Sequence, residues 1–353
     1  MKRITKLFAV VLSLALCLAM IPVNAAENLT VVFIPKLTGN AFFEVANQGA
    51  QDFAKKNGFT VDYQGDPTAS VAAQVAVIQN AINSGADALC ISTVDAAGVS
   101  DALKEAAEAG MTVTTWDSDS KAEDRRVMVS QGTPEVLGKM LVDMLAESMT
   151  ERGKDVTKDP ITYCWHYSQA TVTDQNSWQV EGEKYIAEKY PNWKNVAPEN
   201  FYSEQNAELA ITTGESILKT FPDIDGIICN DSTALPGQAQ AAQNLKYDKD
   251  KVSITGFATP NSMKQYCRDG VLSRWGLWDC AVQGALGCYM AYYIAAGNDV
   301  KVGDVINVPD IGEVKVEPNT VLDPNAYTAD NSGVVLLPER VVFTLENMDN
   351  YDF

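Results

Sequence analysis

The chain of 353 residues predicts an α/β fold of two doubly wound parallel-sheet lobes joined by a multi-strand hinge. Three observations lead there. Short apolar, β-branched runs alternate with longer segments of helical period, the pattern of βαβ units. That alternation occurs twice, on a chain too long for one ordinary core. A late pair of elements and a tail follow the second series, so the chain must cross between lobes several times. Ligands of such folds bind outside the carboxyl ends of the strands, which directs attention to strand ends.

Leu29 to Ile34 reads as the first strand, and 41–57 as a helix with Phe42, Val45, Ala46, Gly49 and Phe53 at helical spacing. Val61 to Tyr63 is strand. Ser70 to Ser84 is helix, with Val71, Val75, Ile78 and Ile82 on one face. Ala88 to Ser92, Ala97 to Ala109 and Thr112 to Trp116 continue as strand, helix and strand. Gly58, Gly85 and Gly110 fall at helix-to-strand turns, where a left-handed cap suits glycine. The second series runs through helix 134–149, strand 161–167, helix 175–189, strand 195–201, helix 205–220, strand 225–229, helix 233–244 and strand 251–257. Strand 271–278 and helix 281–296 come next, then a tail with Val334 to Leu337 and Val341 to Thr344. The expected division is a signal peptide over 1–26, a first lobe of 27–131 plus 277–308, and a second lobe of 132–276 plus the tail 309–353.

The N-terminus carries Lys2, Arg3 and Lys6, an apolar stretch from Leu7 to Ile21, and then Val23-Asn24-Ala25-Ala26. Basic start, apolar middle and small residues before a cut form the export pattern. Cys17, in Leu14-Ala15-Leu16-Cys17, sits in a lipoprotein-like box, so a lipid anchor is a second expectation. Export places the chain in the periplasm or at the outer face of the cell membrane.

Removing that segment moves the net charge from −19 to −22, with 24 basic against 46 acidic side chains. Such a surface repels phosphate backbones, which argues against nucleic acid as a partner and leaves neutral, hydroxylated solutes. Six cysteines remain: Cys90, Cys164, Cys229, Cys267, Cys280 and Cys288. No CxxC occurs; the first three fall in apolar strands as buried thiols, while Cys280 has Cys267 or Cys288 as a pairing option.

Catalytic chemistry finds little support. The single histidine, His166, lies in Tyr163-Cys164-Trp165-His166-Tyr167 among bulky aromatics, where packing outweighs a role as base. No Walker loop is present, no GxGxxG opens a helix after the first strand, and no metal-ligand spacing occurs, so no catalytic residue, metal or cofactor is expected. Asp117 with Asp119, and Asp223 with Asp225, are the paired carboxylates a glycosidase would need. Both pairs sit at turns, and Asp223 and Asp225 read as solvated. A secreted carbohydrate-active enzyme is therefore the distant alternative.

The remaining candidates are polar residues at strand ends. Lys36 follows Ile34-Pro35 and offers three donors. Asp117 and Asp119 end the run Met111 to Asp119. Asp174 and Gln175 open a helix, and Asn230, Asp231 and Ser232 follow Ile227-Ile228-Cys229; Asp174, like the residues after Cys229, also suits a helix N-cap. Together they place donors and acceptors at corresponding strand ends of both lobes, as a cleft closing on a polyol requires. Phe42, Phe43, Trp116, Trp165, Tyr167, Trp275 and Trp278 supply aromatic faces, of which Phe42, Phe43, Trp116 and Trp278, with Asp119, are the cleft-lining candidates.

Several of these motifs, in one order, resemble a known family. They are Phe33-Ile34-Pro35-Lys36, Thr115-Trp116-Asp117-Ser118-Asp119, Gln131-Gly132-Thr133-Pro134, Thr171 to Asn176, Ala234-Leu235-Pro236, Gly276 to Asp279 and Leu336 to Val341. The chain resembles autoinducer-2-binding proteins of the LsrB type, in the sugar-binding branch of type I periplasmic binding proteins. The resemblance implies Lys36, Asp117, Asp174 and Gln175 as ligand-binding residues, with Asp119 bracing the loop. Where the family carries a proline and an alanine, this chain has Asn230 and Ser232, which add polar groups to the site. It further implies a monomeric, non-enzymatic solute-binding component of an ABC importer that delivers a hydroxylated furanose to its permease. The alternative within the class is a receptor for a monosaccharide such as rhamnose or ribose. A two-lobed transcriptional regulator is disfavoured, because the signal peptide stands where a DNA-binding head would.

Overall fold

The computed structural model describes residues 28–353, so the signal segment and Cys17 lie outside the described residues. In chain order the elements are β1 (Thr30–Ile34), α1 (Ala41–Asn57), β2 (Thr60–Tyr63), α2 (Val71–Ser84), β3 (Ala88–Ile91), α3 (Ser100–Glu108), β4 (Thr112–Trp116) and β5 (Val127–Ser130). The second series holds α4 (Pro134–Glu151), β6 (Ile161–Tyr167), α5 (Thr173–Lys189), β7 (Trp193–Asn195), β8 (Phe201–Tyr202), α6 (Ala207–Thr220), β9 (Gly226–Cys229), α7 (Ala234–Asn244), β10 (Ser253–Gly256) and α8 (Pro260–Arg268). The chain ends with β11 (Trp275–Leu277), α9 (Cys280–Ala295), β12 (Val305–Val308), β13 (Gly312–Pro318), β14 (Gly333–Leu336) and β15 (Val341–Phe343).

Two sheets carry the lobes. The first has the order β12-β13-β14-β5-β4-β3-β1-β2, the second β10-β9-β6-β7 with β8 also paired to β6. Successive side chains of a strand point to opposite faces, so a sheet covered on both faces needs apolar residues at every position. β1 meets that demand: Val31 and Phe33 enter the core beneath α1 and α9, whereas Val32 and Ile34 enter a separate core beneath α2 and α3. Helix α1 starts where Asn40 Oδ1 accepts from the backbone N of Phe42, and it ends on Gly58 at φ 76°. The N-cap fixes the orientation of the first turn, and with it Phe42 and Phe43.

The tail departs from expectation. Residues 309–336 do not join the second lobe: β14 pairs in parallel with β5, Gly333 opposite Val127, and β13 pairs with β14. Without the tail β5 would be the open edge of the first sheet, and β14 pairs with the N–H and C=O groups it would expose. Only β15 leaves that lobe, pairing antiparallel with β11 in a two-stranded ribbon at the crossing. The run 271–278 accordingly contributes three strand residues, and 195–201 divides into β7 and β8 around a loop.

Asp225 also departs from the solvated reading. It is 7% exposed, pairs with Lys154 at 2.7 Å and accepts from Thr162, so it joins β9 to β6. Asp223 is exposed. The six described cysteines are buried free thiols.

Candidate functional site

The carboxyl ends of the strands converge on the cleft between the lobes. Lys36 lies two residues beyond β1, Ser92 directly beyond β3, Asp117 beyond β4, Asn230 beyond β9 and Phe257 beyond β10. They line or support one small cavity between the lobes, built for a small solute rather than a polymer.

From the first lobe, Lys36 Nζ lies 3.0 Å from Asp117 Oδ2, with both side chains under 10% exposed. Ser92 Oγ donates to the same oxygen at 2.6 Å. Both donors therefore go to Oδ2, and Oδ1 has no side-chain or backbone donor among the described residues. Asp117 sits at φ 57°, a left-handed conformation that aspartate tolerates better than most residues. Burial alone would lower the Lys36 pKa; Asp117, Asp174 and Asp231 reverse this and raise it, so the ammonium persists.

The second lobe supplies Gln175, Asn230, Asp231, Ser232 and Gln205. Gln175 Oε1 accepts from Ser168 Oγ at 2.7 Å, which turns its amide nitrogen into the cavity as donor. Asn230 is 1% exposed; its Nδ2 donates to the carbonyl of Gln175 at 3.4 Å, and its Oδ1 has no partner among the described residues. A buried acceptor in that position calls for a donor on the ligand. Asp231 Oδ1 accepts from the backbone of Thr233 and Ala234, so it serves partly as a cap for α7. Burial raises its pKa against the pull of those bonds and of Lys36.

Aromatic rings form the walls. Phe42 and Phe43 come from the start of α1, Trp178 from α5, Phe257 and Trp278 from the strand ends. Trp278 is packed edge-on against Phe42 at 5.9 Å, Trp178 at 6.2 Å and Phe257 at 5.4 Å. Such faces cover the apolar edges of a sugar-like ring while the polar groups take its hydroxyls.

Of the residues the sequence singled out, Lys36, Asp117, Gln175, Asn230, Ser232, Phe42, Phe43 and Trp278 meet on this wall. Asp174 stands beside them, facing a second groove, and its Oδ1 accepts from Ser118 Oγ of the other lobe at 2.7 Å. The N-cap of α5 is Val172, so Asp174 is not a cap. Two expectations are corrected. Trp116 is 0% exposed beneath the site, stacked on Phe42 and donating to the carbonyl of Ile34. Asp119 turns away from the cavity: Arg125 holds both its oxygens, at 3.0 and 2.7 Å, and Thr115 Oγ1 donates to it. Arg125 also donates to the carbonyl of Gly333, so this pair ties the loop after β4 to the returning tail.

Sequence reasoning missed Trp178, Gln205, Phe257 and Leu277 as lining residues. Trp178 was open to inference, because it lies one turn beyond Gln175 on the same face of α5. Gln205 gives no local signal; its left-handed backbone, φ 58°, aims it inward.

Both lobes meet across the cleft. Besides Ser118 and Asp174, Asn40 Nδ2 donates to Thr233 Oγ1 at 3.1 Å, Gln169 Nε2 to the carbonyl of Ala69 at 3.3 Å, and Thr171 Oγ1 to that of Val94 at 3.2 Å. Burial pushes the Asp174 pKa up to about 6; Lys36 opposes this, and Asp117 adds to it. Opening the cleft returns the group to the ordinary carboxylate range near ~4. The closed form thus binds more protons between those values, so its advantage is full below the lower pKa and lost as pH rises through the upper one. Lowering the pH of ligand-free protein from 7 to 4 is expected to favour closure, read as a smaller radius of gyration by X-ray scattering. Asp174→Asn is expected to diminish the pH response, leaving the part carried by the buried Asp231; an unchanged response in that variant would remove Asp174 from the effect.

Geometry of this kind, two parallel-sheet lobes closing on a small polar and aromatic cavity, is that of a solute receptor. A model of the periplasmic binding protein domain matches residues 31–299. The chain belongs to that family. This binding protein is 69% identical to LsrB from Clostridium saccharobutylicum, solved in complex with AI-2, with a TM-score of 0.91 over 92% of this chain and 100% of that one. It shares its fold with a solute-binding protein from Clostridium phytofermentas that holds L-rhamnose, at 22% identity and a TM-score of 0.80 over 92% and 98% of the two chains. The D-ribose/D-allose-binding protein of Pseudomonas aeruginosa is 24% identical over 84% of this chain and 93% of its own length.

His166 lies apart from the cavity. It is 0% exposed, its Nδ1 is 3.0 Å from Gln238 Oε1, and burial lowers its pKa to about 4, which leaves it neutral. Gln238 Nε2 donates to the carbonyl of Gly214, so Oε1 is the acceptor and Nδ1 carries the proton.

Proposed function

We propose that this protein is the exported solute-binding component of an ABC importer, and that it closes on autoinducer-2 in its hydroxylated furanose form. The observation that carries the reading is the interlobe cavity in which the Lys36–Asp117 pair and the Gln175 amide face aromatic walls. Lys36 and Gln175 donate, while Asp117 and Asn230 accept; hydroxyl groups, which do both, match that set. The identity to LsrB of C. saccharobutylicum, whose structure contains AI-2, supports the same ligand. In this reading Asp174 joins the ligand from the closing lobe, and Ser232 and Asn230 add contacts at the second-lobe wall. The protein acts as a monomer, held outside the cell membrane, and hands its ligand to the permease without chemical turnover.

The extra polar groups at Asn230, Asp231 and Ser232 favour one second reading, a receptor for a monosaccharide such as rhamnose or ribose. Calorimetry with autoinducer-2, L-rhamnose and D-ribose separates the two. Saturable binding of a monosaccharide without binding of autoinducer-2 would overturn the choice. Release of product from a chromogenic glycoside, lost in Asp117→Asn, would overturn the receptor reading altogether.

A further inference from the structure

Beside and beneath the cavity, five side chains form one continuous path. Trp278 Nε1 donates to Gln283 Oε1 at 2.6 Å. Gln283 Nε2 donates to the carbonyl of Val129 at 3.1 Å and to Gln131 Oε1 at 3.0 Å. Gln131 Nε2 reaches Asp174 Oδ2 at 3.5 Å, and Asp174 Oδ1 receives Ser118 Oγ. Gln131 is 1% exposed and Gln283 0%.

The direction of this path is forced by chemistry. An indole N–H only donates and a backbone carbonyl only accepts, so Gln283 has one possible amide orientation. Gln131 must then accept from Gln283, which leaves its NH₂ group facing Asp174. The segments joined are the crossings themselves: Gln131 follows β5, Trp278 follows β11, and Arg340, ahead of β15, donates to the backbone carbonyl of Gln131 at 2.9 Å.

We propose that Gln131 and Gln283 are positioning residues that relay a fixed donor polarity from the ring wall at Trp278 through the hinge to Asp174, holding that carboxylate as a ligand acceptor when the lobes close. The proposal rests on the cleft being the solute site. Neither glutamine lines the cavity, so their effect on binding passes through Trp278 and Asp174. The charged groups facing Asp174 are Lys36 from the loop after β1 and Asp117 from the end of β4; Asp231, across the cavity, acts on the same Lys36. Nearby Asp119 and Arg125 are paired with each other, as are Glu181 and Lys184 on its own helix.

Gln131→Glu tests the polarity. At pH 8 it sets a carboxylate against Asp174, and at pH 5 a proton shared between the two carboxylates restores the missing donor. Calorimetry with autoinducer-2, against wild type measured at the same pH because Asp174 itself titrates at about 6, is expected to give an affinity about tenfold or more below wild type at pH 8 and within about threefold of it at pH 5. Gln131→Met, which keeps the shape and cannot donate, is expected to bind more weakly at both values. In ligand-free protein, Gln131→Met is also expected to shift the Trp278 indole N–H resonance, which it does not touch, because Gln283 loses one of its two acceptors. Wild-type affinity with a flat pH profile in Gln131→Glu, or an unmoved indole resonance in Gln131→Met, would overturn the relay. If the wild type binds neither autoinducer-2 nor L-rhamnose, the functional reading fails, and the indole measurement still decides the relay.

Discussion

Asp117→Asn is expected to weaken ligand binding by about 2–4 kcal/mol, the cost of leaving buried hydroxyls without a charged acceptor, while the protein still folds. The substitution keeps the side-chain shape and the tolerance for φ 57°, so the loss reports the charge. Asp117→Ala removes more. Lys36 and Asp117 are 4% and 5% exposed, and taking away one member of a buried pair costs about 3–5 kcal/mol because its partner stays buried and unpaired. Alanine also tolerates the left-handed backbone less well than aspartate, which adds some strain. The alanine variant should therefore lose its thermal transition to lower temperature as well as its ligand. Calorimetry and thermal denaturation on the two variants separate the effects, and wild-type affinity in Asp117→Asn would remove Asp117 from the ligand's partners. Asp119→Asn provides the contrast. Its bonds run to Arg125 and through it to the tail, so stability should fall more than affinity does.

That contrast also marks what the sequence revealed. The placement of Lys36, Asp117 and Asn230 on the cavity wall was legible because a buried parallel strand must expel polar groups to its carboxyl end, where the cleft lies, whereas Gln175, in the first turn of α5, rested on the family resemblance. Trp116 and Trp278 were not separable by the same rule. In a strand buried on both faces, every position is apolar, so the pattern does not say which side chains face the cleft and which the core. Trp116 packs under α9, close to Gly287, whereas Trp278 lies beyond β11 and reaches the cavity. The tail was misassigned for a different reason: Gly333 pairs with Val127 across about two hundred residues, and local periodicity carries no information on such a partner. Gln131 stood in a recognised motif without a role, because its role depends on Gln283, which is distant in sequence and gives no local signal.

Gly284→Val is expected to destabilise the first lobe by about 3 kcal/mol, the upper end of the usual cost of overpacking a core, and to reduce binding at the same time. Helices α1 and α9 approach so closely that their backbones touch through small residues. A Cβ on Gly284 would lie 2.1 Å from the carbonyl oxygen of Ala46, and one on Gly49 would lie 2.2 Å from that of Ala281. Neither neighbour is the movable end of a side chain, so the helices themselves must separate. α9 is the element by which the chain returns from the second lobe, and it is buried along most of its length against α1, β3 and β4. Displacing it carries Gln283 away from Gln131 and Trp278, so the aromatic wall and the Asp174 donor loosen together. Gly58→Ala is the control. It adds strain at a left-handed cap, at φ 76°, with no atom within 4 Å of the new Cβ, and should cost about 1 kcal/mol without changing affinity. Urea denaturation with calorimetry reads both quantities. Full affinity in a destabilised Gly284→Val would show that α9 can shift without moving the site, and so uncouple the helix contact from ligand binding.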